Sequence, residues 1–184
     1  YTDLTPLACL VVDYSVITVA ADSPVKTMRD LVERLKADPG ALAFGMVSRG
    51  GPNHLALSQA VRSAGVDPRS LKTVVFKTNA ESHMAVVGGH IQAVVSSVSA
   101  ALPQVQAGHT RMLGIAAPQR VAGPLAGLPT MREQGINATG VSNWRAIFGA
   151  KGMSPAQAAF WDNALARLAA SEEWGRELES TNMT

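Results

Sequence analysis

The order of strand-like and helix-like segments constrains this chain more than any other feature. Leu7–Val12 and Ser15–Ala20 are apolar and rich in β-branched residues, and they read as two strands. A helix is expected over Met28–Ala37, with Thr27 as N-cap, Asp30 three residues on, and Pro39-Gly40 as the stop. The alternation continues with strand Ala41–Val47, helix Asn53–Ala64, strand Thr73–Phe76 and helix Ala80–Val87. Strand Ile91–Ser97, a helix near Ala100–Ala107 and strand Arg111–Ala116 complete it. Parallel neighbours need crossovers, and the intervening helices supply them. The pattern predicts an α/β fold with a largely parallel sheet flanked by helices.

Pro118–Pro129 changes character, with three prolines and two glycines, and reads as a linker or extended crossover. Beyond it, Thr130 with Glu133 suits a short helix ending at Gly135, and Ser142–Phe148 suits a strand. Ser154-Pro155-Ala156-Gln157 is a strong helix start, and a last helix is expected over Glu172–Glu179. Two lobes are expected. Residues 19–118 form one compact α/β unit, and residues 1–18 with 119–184 form parts of a second, incomplete lobe.

With 184 residues, 47% of them hydrophobic, the chain can bury a core. Its net charge of +2, spread rather than clustered, speaks against nucleic acid as a partner and suits an anionic small molecule. The single cysteine, Cys9, allows no internal disulfide and reads as a small buried hydrophobe. No apolar stretch reaches the length of a membrane span. The chain opens without Met, almost directly into an apolar run, and reads as a piece of something longer, so the lack of a leader says nothing about location.

In a parallel sheet the loops leaving the C-terminal strand ends share one edge, where ligands bind. Three such loops are expected: Ser48–Asn53, Lys77–Asn79 and Ser96–Ser99. Each precedes a helix and so presents backbone N–H groups and the positive end of a helix dipole, a ready site for a carboxylate. Gly50 and Gly51 permit close backbone approach. Ser48, Asn53, Thr78, Asn79, Ser97 and Ser99 offer neutral hydrogen-bonding groups, and Arg49 and Lys77 can add charge. Taken singly, each Ser, Thr or Asn reads more readily as a helix cap; three such loops on one edge favour a binding site. His54, in the first turn after the glycine loop, either touches a ligand or packs locally.

Signs of catalysis are missing. The run around Ser48 lacks the first glycine of a nucleophile elbow, and there is neither a phosphate loop nor a dinucleotide fingerprint. His54, His83, His90 and His109 show no metal-ligand spacing, so no metal or other cofactor is expected. His83 and His109 read as surface residues. Trp144, Trp161 and Trp174 read as packing residues.

The run Phe44-Gly45-Met46-Val47-Ser48-Arg49-Gly50-Gly51-Pro52-Asn53-His54-Leu55 resembles the solute-binding subunits of tripartite tricarboxylate transporters, the Bug proteins. Asp22-Ser23-Pro24, Gly88-Gly89-His90-Ile91-Gln92-Ala93, Ala107-Gly108 with Arg111, Leu128-Pro129-Thr130 and Asn143-Trp144-Arg145 match further family segments in order. The resemblance implies a periplasmic-binding-protein-like fold of two α/β lobes closing around a small carboxylate, and no enzymatic activity. It implies the permease subunits of a membrane transporter as partner and an ion gradient as driving force. By position, Ser48, Gly50, Gly51, Asn53 and His54 match the family's ligand loop, and Lys77, Thr78 and Asn79 match the next. Thr78 replaces a usual glycine. Ser96–Ser99, including Ser97 and Ser99, follow a strand where an acid is often found, and Asp13-Tyr14-Ser15 corresponds to a cleft-edge turn. The family also has a segment before this start, with a glycine-rich loop that completes the site.

Two other readings remain open. One is the effector-sensing domain of a transcription regulator, which would follow a DNA-binding module. The other is an α/β enzyme with its nucleophile outside this stretch.

Overall fold

The computed structural model describes residues 3–181 and 183. Among them the chain forms six strands and six α-helices. The two N-terminal strands expected from the sequence are one: β1 runs unbroken from Leu4 to Ala20. Asp13-Tyr14-Ser15 is therefore mid-strand and not a turn. No glycine or proline interrupts it there, and Asp13 and Ser15 are both buried.

Helix α1 (Met28–Ala37) begins with the expected capping box, Thr27 Oγ1 accepting from Asp30 N–H and the Asp30 carboxylate accepting from Thr27 N–H. There follow β2 (Ala43–Met46), α2 (Pro52–Ser63), β3 (Lys72–Val75), α3 (Asn79–Val87), β4 (Ala93–Ser97), α4 (Val98–Gln106) and β5 (Thr110–Ile115). The strands lie in the order β3-β2-β4-β1-β5. β2 is parallel to β3 and β4, whereas β1 is antiparallel to both of its neighbours, β4 and β5. β2, β3, β4 and β5 therefore all point one way, as the helical crossovers require, and β1 alone runs against them. The sheet is parallel with one inserted antiparallel strand.

Contacts divide the chain into two units, Tyr14–Asn143 and Tyr1–Asp13 with Trp144–Thr184. These boundaries differ from the crossings near 18 and 118 expected from composition. Residues 119–143 belong with the larger sheet because their side chains are built into it. Met131, Ile136 and Ala138 join the core formed by Met28, Leu31 and Leu57. Gln134 is a further stitch: its Oε1 accepts from Met28 N–H and its Nε2 donates to Leu113 O, both at 2.9 Å. Thr130 and Glu133 form the expected reciprocal cap, before a 3₁₀ turn at Arg132–Gln134 and not an α-helix. The Thr130 N–H and then Arg120 hold the Glu133 carboxyl below the usual carboxylate range.

Side chains alternate across the sheet, and two cores result. Ile17, Val19, Phe44, Met46, Ala93 and Val95 face α1 and α2. On the other face Val16, Met112 and Ile115 pack with α4, and Val94 packs with Val86 of α3.

In the smaller unit, β6 (Ser142–Ala150) pairs with β1, and Thr5 Oγ1 donates to Ala150 O at 2.9 Å. α5 (Pro155–Ala169) starts with the expected Ser154–Gln157 capping box, and α6 covers Glu172–Thr181. Of the buried hydrophobic residues only Leu165 lies on α5, and none lies on α6. Cys9 is exposed, contrary to expectation, in the amino-terminal part of β1 before burial begins at Val11. Trp144, at 58% exposure, and Trp161 are likewise not core residues.

Gly114 shows how tightly the stitch fits. A Cβ there would lie 2.8 Å from Gln134 Nε2 and 2.9 Å from Met28 Cγ. Gly114→Ala is expected to destabilise the chain by about 1–3 kcal/mol through overpacking, read as a lowered urea midpoint with an unchanged m-value.

Candidate functional site

Because β2, β3 and β4 are parallel, the loops that leave them emerge on one edge of the sheet. β2 and β4 are neighbours, so their loops start about 5 Å apart. α2 and α4 pack on opposite faces, so their N-termini reach this rim from either side. β1, running the other way, brings Ser15 to the same rim, opposite Ser97.

The β2–α2 loop is shaped by its glycines. Gly50 has φ +79°, a left-handed conformation that favours glycine. Its N–H donates to His54 Nδ1 at 2.9 Å. His54 thus shapes the loop, and its ring proton sits on Nε2 when the ring is neutral. A Cβ on Gly51 would strike Ser48 Oγ. Gly51 is the N-cap of α2 and Pro52 follows it, so no side chain caps this helix. Arg49 is held away by a 3.0 Å bond from its guanidinium to Thr73 O.

Asn53 is the centre of the polar rim. Its Oδ1 accepts from Ser15 Oγ at 2.7 Å and from Asn143 Nδ2 at 3.2 Å. With both lone pairs of the oxygen engaged, its NH₂ group is what Asn53 has left to offer. Ser15 was expected only as part of a cleft-edge turn with Asp13 and Tyr14, not as a partner of Asn53.

The three helix starts differ. Thr78 Oγ1 accepts from Glu81 N–H at 3.1 Å, and the Glu81 carboxylate accepts from Lys77 N–H at 3.1 Å. The α3 N-terminus is therefore closed, with a negative charge already in place. Thr78 thus serves as a helix cap, the role each such residue taken singly was expected to have. Asn79 Oδ1 is buried without a hydrogen-bond partner. At α4, Ser97 stands at the N-cap but its side chain makes no capping bond, its Oγ lying 3.0 Å from Ser99 Oγ. Asp13 belongs to the other unit, inside β1.

His83 is a correction as well. It is 1% exposed, not on the surface, and its Nε2 lies 3.2 Å from Ser96 Oγ. Burial pushes its imidazole below the ordinary histidine value. Among the described residues no cluster of His, Cys, Asp or Glu is arranged to hold a metal ion, and no helix is long and apolar enough to cross a membrane.

Residues 1–178 match the family model described as the tripartite tricarboxylate transporter family receptor. A UPF0065 protein from the gbd 5′ region of Cupriavidus necator is 32% identical over 139 residues, 76% of this chain and 41% of that protein. Protein BugT of Bordetella pertussis is 25% identical over 83% of this chain and 46% of its own length. Among solved structures, a solute-binding protein from Polaromonas superposes with a TM-score of 0.83 at 27% identity, over 98% of this chain and 60% of that one. The malate-bound MatC of Rhodopseudomonas palustris shares the fold, with a TM-score of 0.72 at 21% identity over 98% of this chain and 60% of its own. An R. palustris protein solved with adipate does so with a TM-score of 0.79 at 22% identity, over 99% and 60%. The chain thus spans under half the length of these curated relatives.

The difference between closed and open helix starts has a direct measure. Thr78→Ala is expected to cost about 0.5–2 kcal/mol by removing a cap, whereas Ser97→Ala is expected to stay within about 0.5 kcal/mol of the parent. Paired chemical denaturation curves check it.

Proposed function

The chain belongs to the tripartite tricarboxylate transporter receptor family, and on that premise we propose that the protein carrying it is a periplasmic receptor that captures a small organic carboxylate. Delivery to the permease subunits of a membrane transporter is part of the same proposal. The family is one of solute receptors, not of enzymes.

The observation that carries this reading is the pair of uncapped helix starts, α2 and α4, on adjacent parallel strands at one rim. A helix N-terminus without a cap leaves amide donors and a positive partial charge, both suited to a carboxylate. The asymmetry supports the reading further. Where an anion would be redundant, at α3, Glu81 fills the place. The amide of Asn53 and the hydroxyls of Ser48, Ser97 and Ser99 add neutral hydrogen-bonding groups of the kind that fix orientation. Gly50 and Gly51 keep backbone accessible, and His54 keeps their loop in shape. The adipate and malate bound to two proteins of this fold are the same chemical class. Asp13 keeps its place in the proposal as a residue of the second lobe. The two contact units are read as parts of the two lobes, the smaller one short of residues that the longer relatives carry.

A ligand that binds only the native state raises its stability, by about 2.7 kcal/mol at a hundredfold excess over Kd. Malate, adipate and citrate are therefore to be screened by thermal shift against the full-length receptor. A rise in Tm with at least one is expected; no response to any carboxylate overturns the reading. Gly51→Ala, which forces Ser48 aside, is expected to weaken the response about tenfold in ligand concentration.

A further inference from the structure

One polar contact lies beneath the rim, between α3 and β4. Val86, Ile91 and Val94 form an apolar core there, with Ala43, Phe76 and Ala85 against it and Ser82 buried on α3. His83, one turn into α3, is buried in this region, and its Nδ1 has no hydrogen-bond partner. Burying a polar ring with one nitrogen unsatisfied is costly. Its one bond goes to Ser96, itself fully buried, the residue before the α4 N-cap. Ser96 Oγ in turn lies 3.3 Å from Ser97 O and donates to it. The Ser96 oxygen is then the acceptor for His83, so Nε2 carries the ring proton.

This relay ends at a helix start that lacks a side-chain cap. Ser97 makes no cap to its own helix, so the usual device that fixes the first turn is missing at α4. We propose that His83 is a positioning residue for ligand capture, holding Ser96 and through it the Ser97 carbonyl, so that the β4–α4 turn keeps its amides aimed at the rim. The proposal rests on the carboxylate-receptor reading above. It separates two jobs within one corner: α2 and α4 supply donors to the guest, and a neutral imidazole behind β4 keeps one of those donor sets in register. The depressed His83 pKa fits a ring that stays neutral and a one-proton donor.

The test uses the full-length receptor with His83→Gln, His83→Leu and Ser96→Ala variants. Glutamine keeps an N–H donor near the Nε2 position, and leucine keeps volume without a donor. Kd for malate and adipate is measured by calorimetry, and the amide resonances of Ser97 and Val98 are compared without ligand. His83→Gln is expected to bind within about twofold of the parent, and His83→Leu and Ser96→Ala about tenfold more weakly. The double variant His83→Leu with Ser96→Ala is expected to be no worse than either single one, because both break the same relay. The Ser97 and Val98 resonances are expected to move in His83→Leu and to stay near their parent positions in His83→Gln. Unchanged affinity in His83→Leu, even with a lowered Tm, overturns the proposal and leaves the receptor reading intact. If the parent binds no carboxylate, the receptor reading fails. The ligand-free resonances then still decide the relay, which is refuted if they do not move in His83→Leu.

Discussion

Strand polarity is the constraint on which the rest depends. The four strands β2, β3, β4 and β5, joined in turn by α2, α3 and α4, point the same way, because each helix carries the chain back to the end where the previous strand began. That single geometric fact gathers the turns after β2, β3 and β4 on one edge. The antiparallel β1 does not disturb it. Running backwards, it delivers Ser15 to the rim that the other strands reach with their C-terminal ends, and Ser15 donates to Asn53. The polar centre of the rim is thus made by the one strand that breaks the rule.

The rim itself is graded by capping. A helix start with a Thr or Ser bond and a carboxylate nearby is electrostatically complete, and α3 is of this kind. A start with glycine or a non-capping serine is incomplete, and α2 and α4 are of this kind. The same helix physics therefore yields one turn with a hydroxyl cap and two without a side-chain cap. Residue type alone does not separate them, since Thr78 and Ser97 both look like good N-caps. What separates them is whether the hydroxyl turns back to the helix or toward a neighbour such as Ser99.

Much of the fold was legible in the sequence, for local reasons. Helices α1 and α5 announced themselves through capping pairs, Thr27 with Asp30 and Ser154 with Gln157, whose partners lie three residues apart. The loop around Ser48–Asn53 was found because glycines and small polar residues follow an apolar strand, whereas Ser96–Ser99, expected as a loop, is the direct passage of β4 into α4. What failed was non-local. Asp13-Tyr14-Ser15 looks like a break, yet neighbouring strands hold it extended. His83 looks like a surface residue because its partner, Ser96, is thirteen positions away. Residues 119–143 look like a linker until Gln134 is seen bonded to Met28 and Leu113. Cys9 sits in an apolar run, but burial depends on what covers the strand, which no local pattern states.

The placement of β1 has a consequence for how the molecule is made. A ribosome releases the chain from its amino end, so β1 emerges before β4 and β5, the strands that flank it. Its partners β4 and β5 arrive only with residues 93–97 and 110–115, and the slot between them does not exist until the α4 crossover has formed. Such distant pairings slow folding. In the interval an extended, apolar ribbon with unsatisfied edges is on display, the kind of segment that sticks to its own kind or to a chaperone. The strand that finishes the rim is therefore made before the two strands that flank it and can take its place only after them.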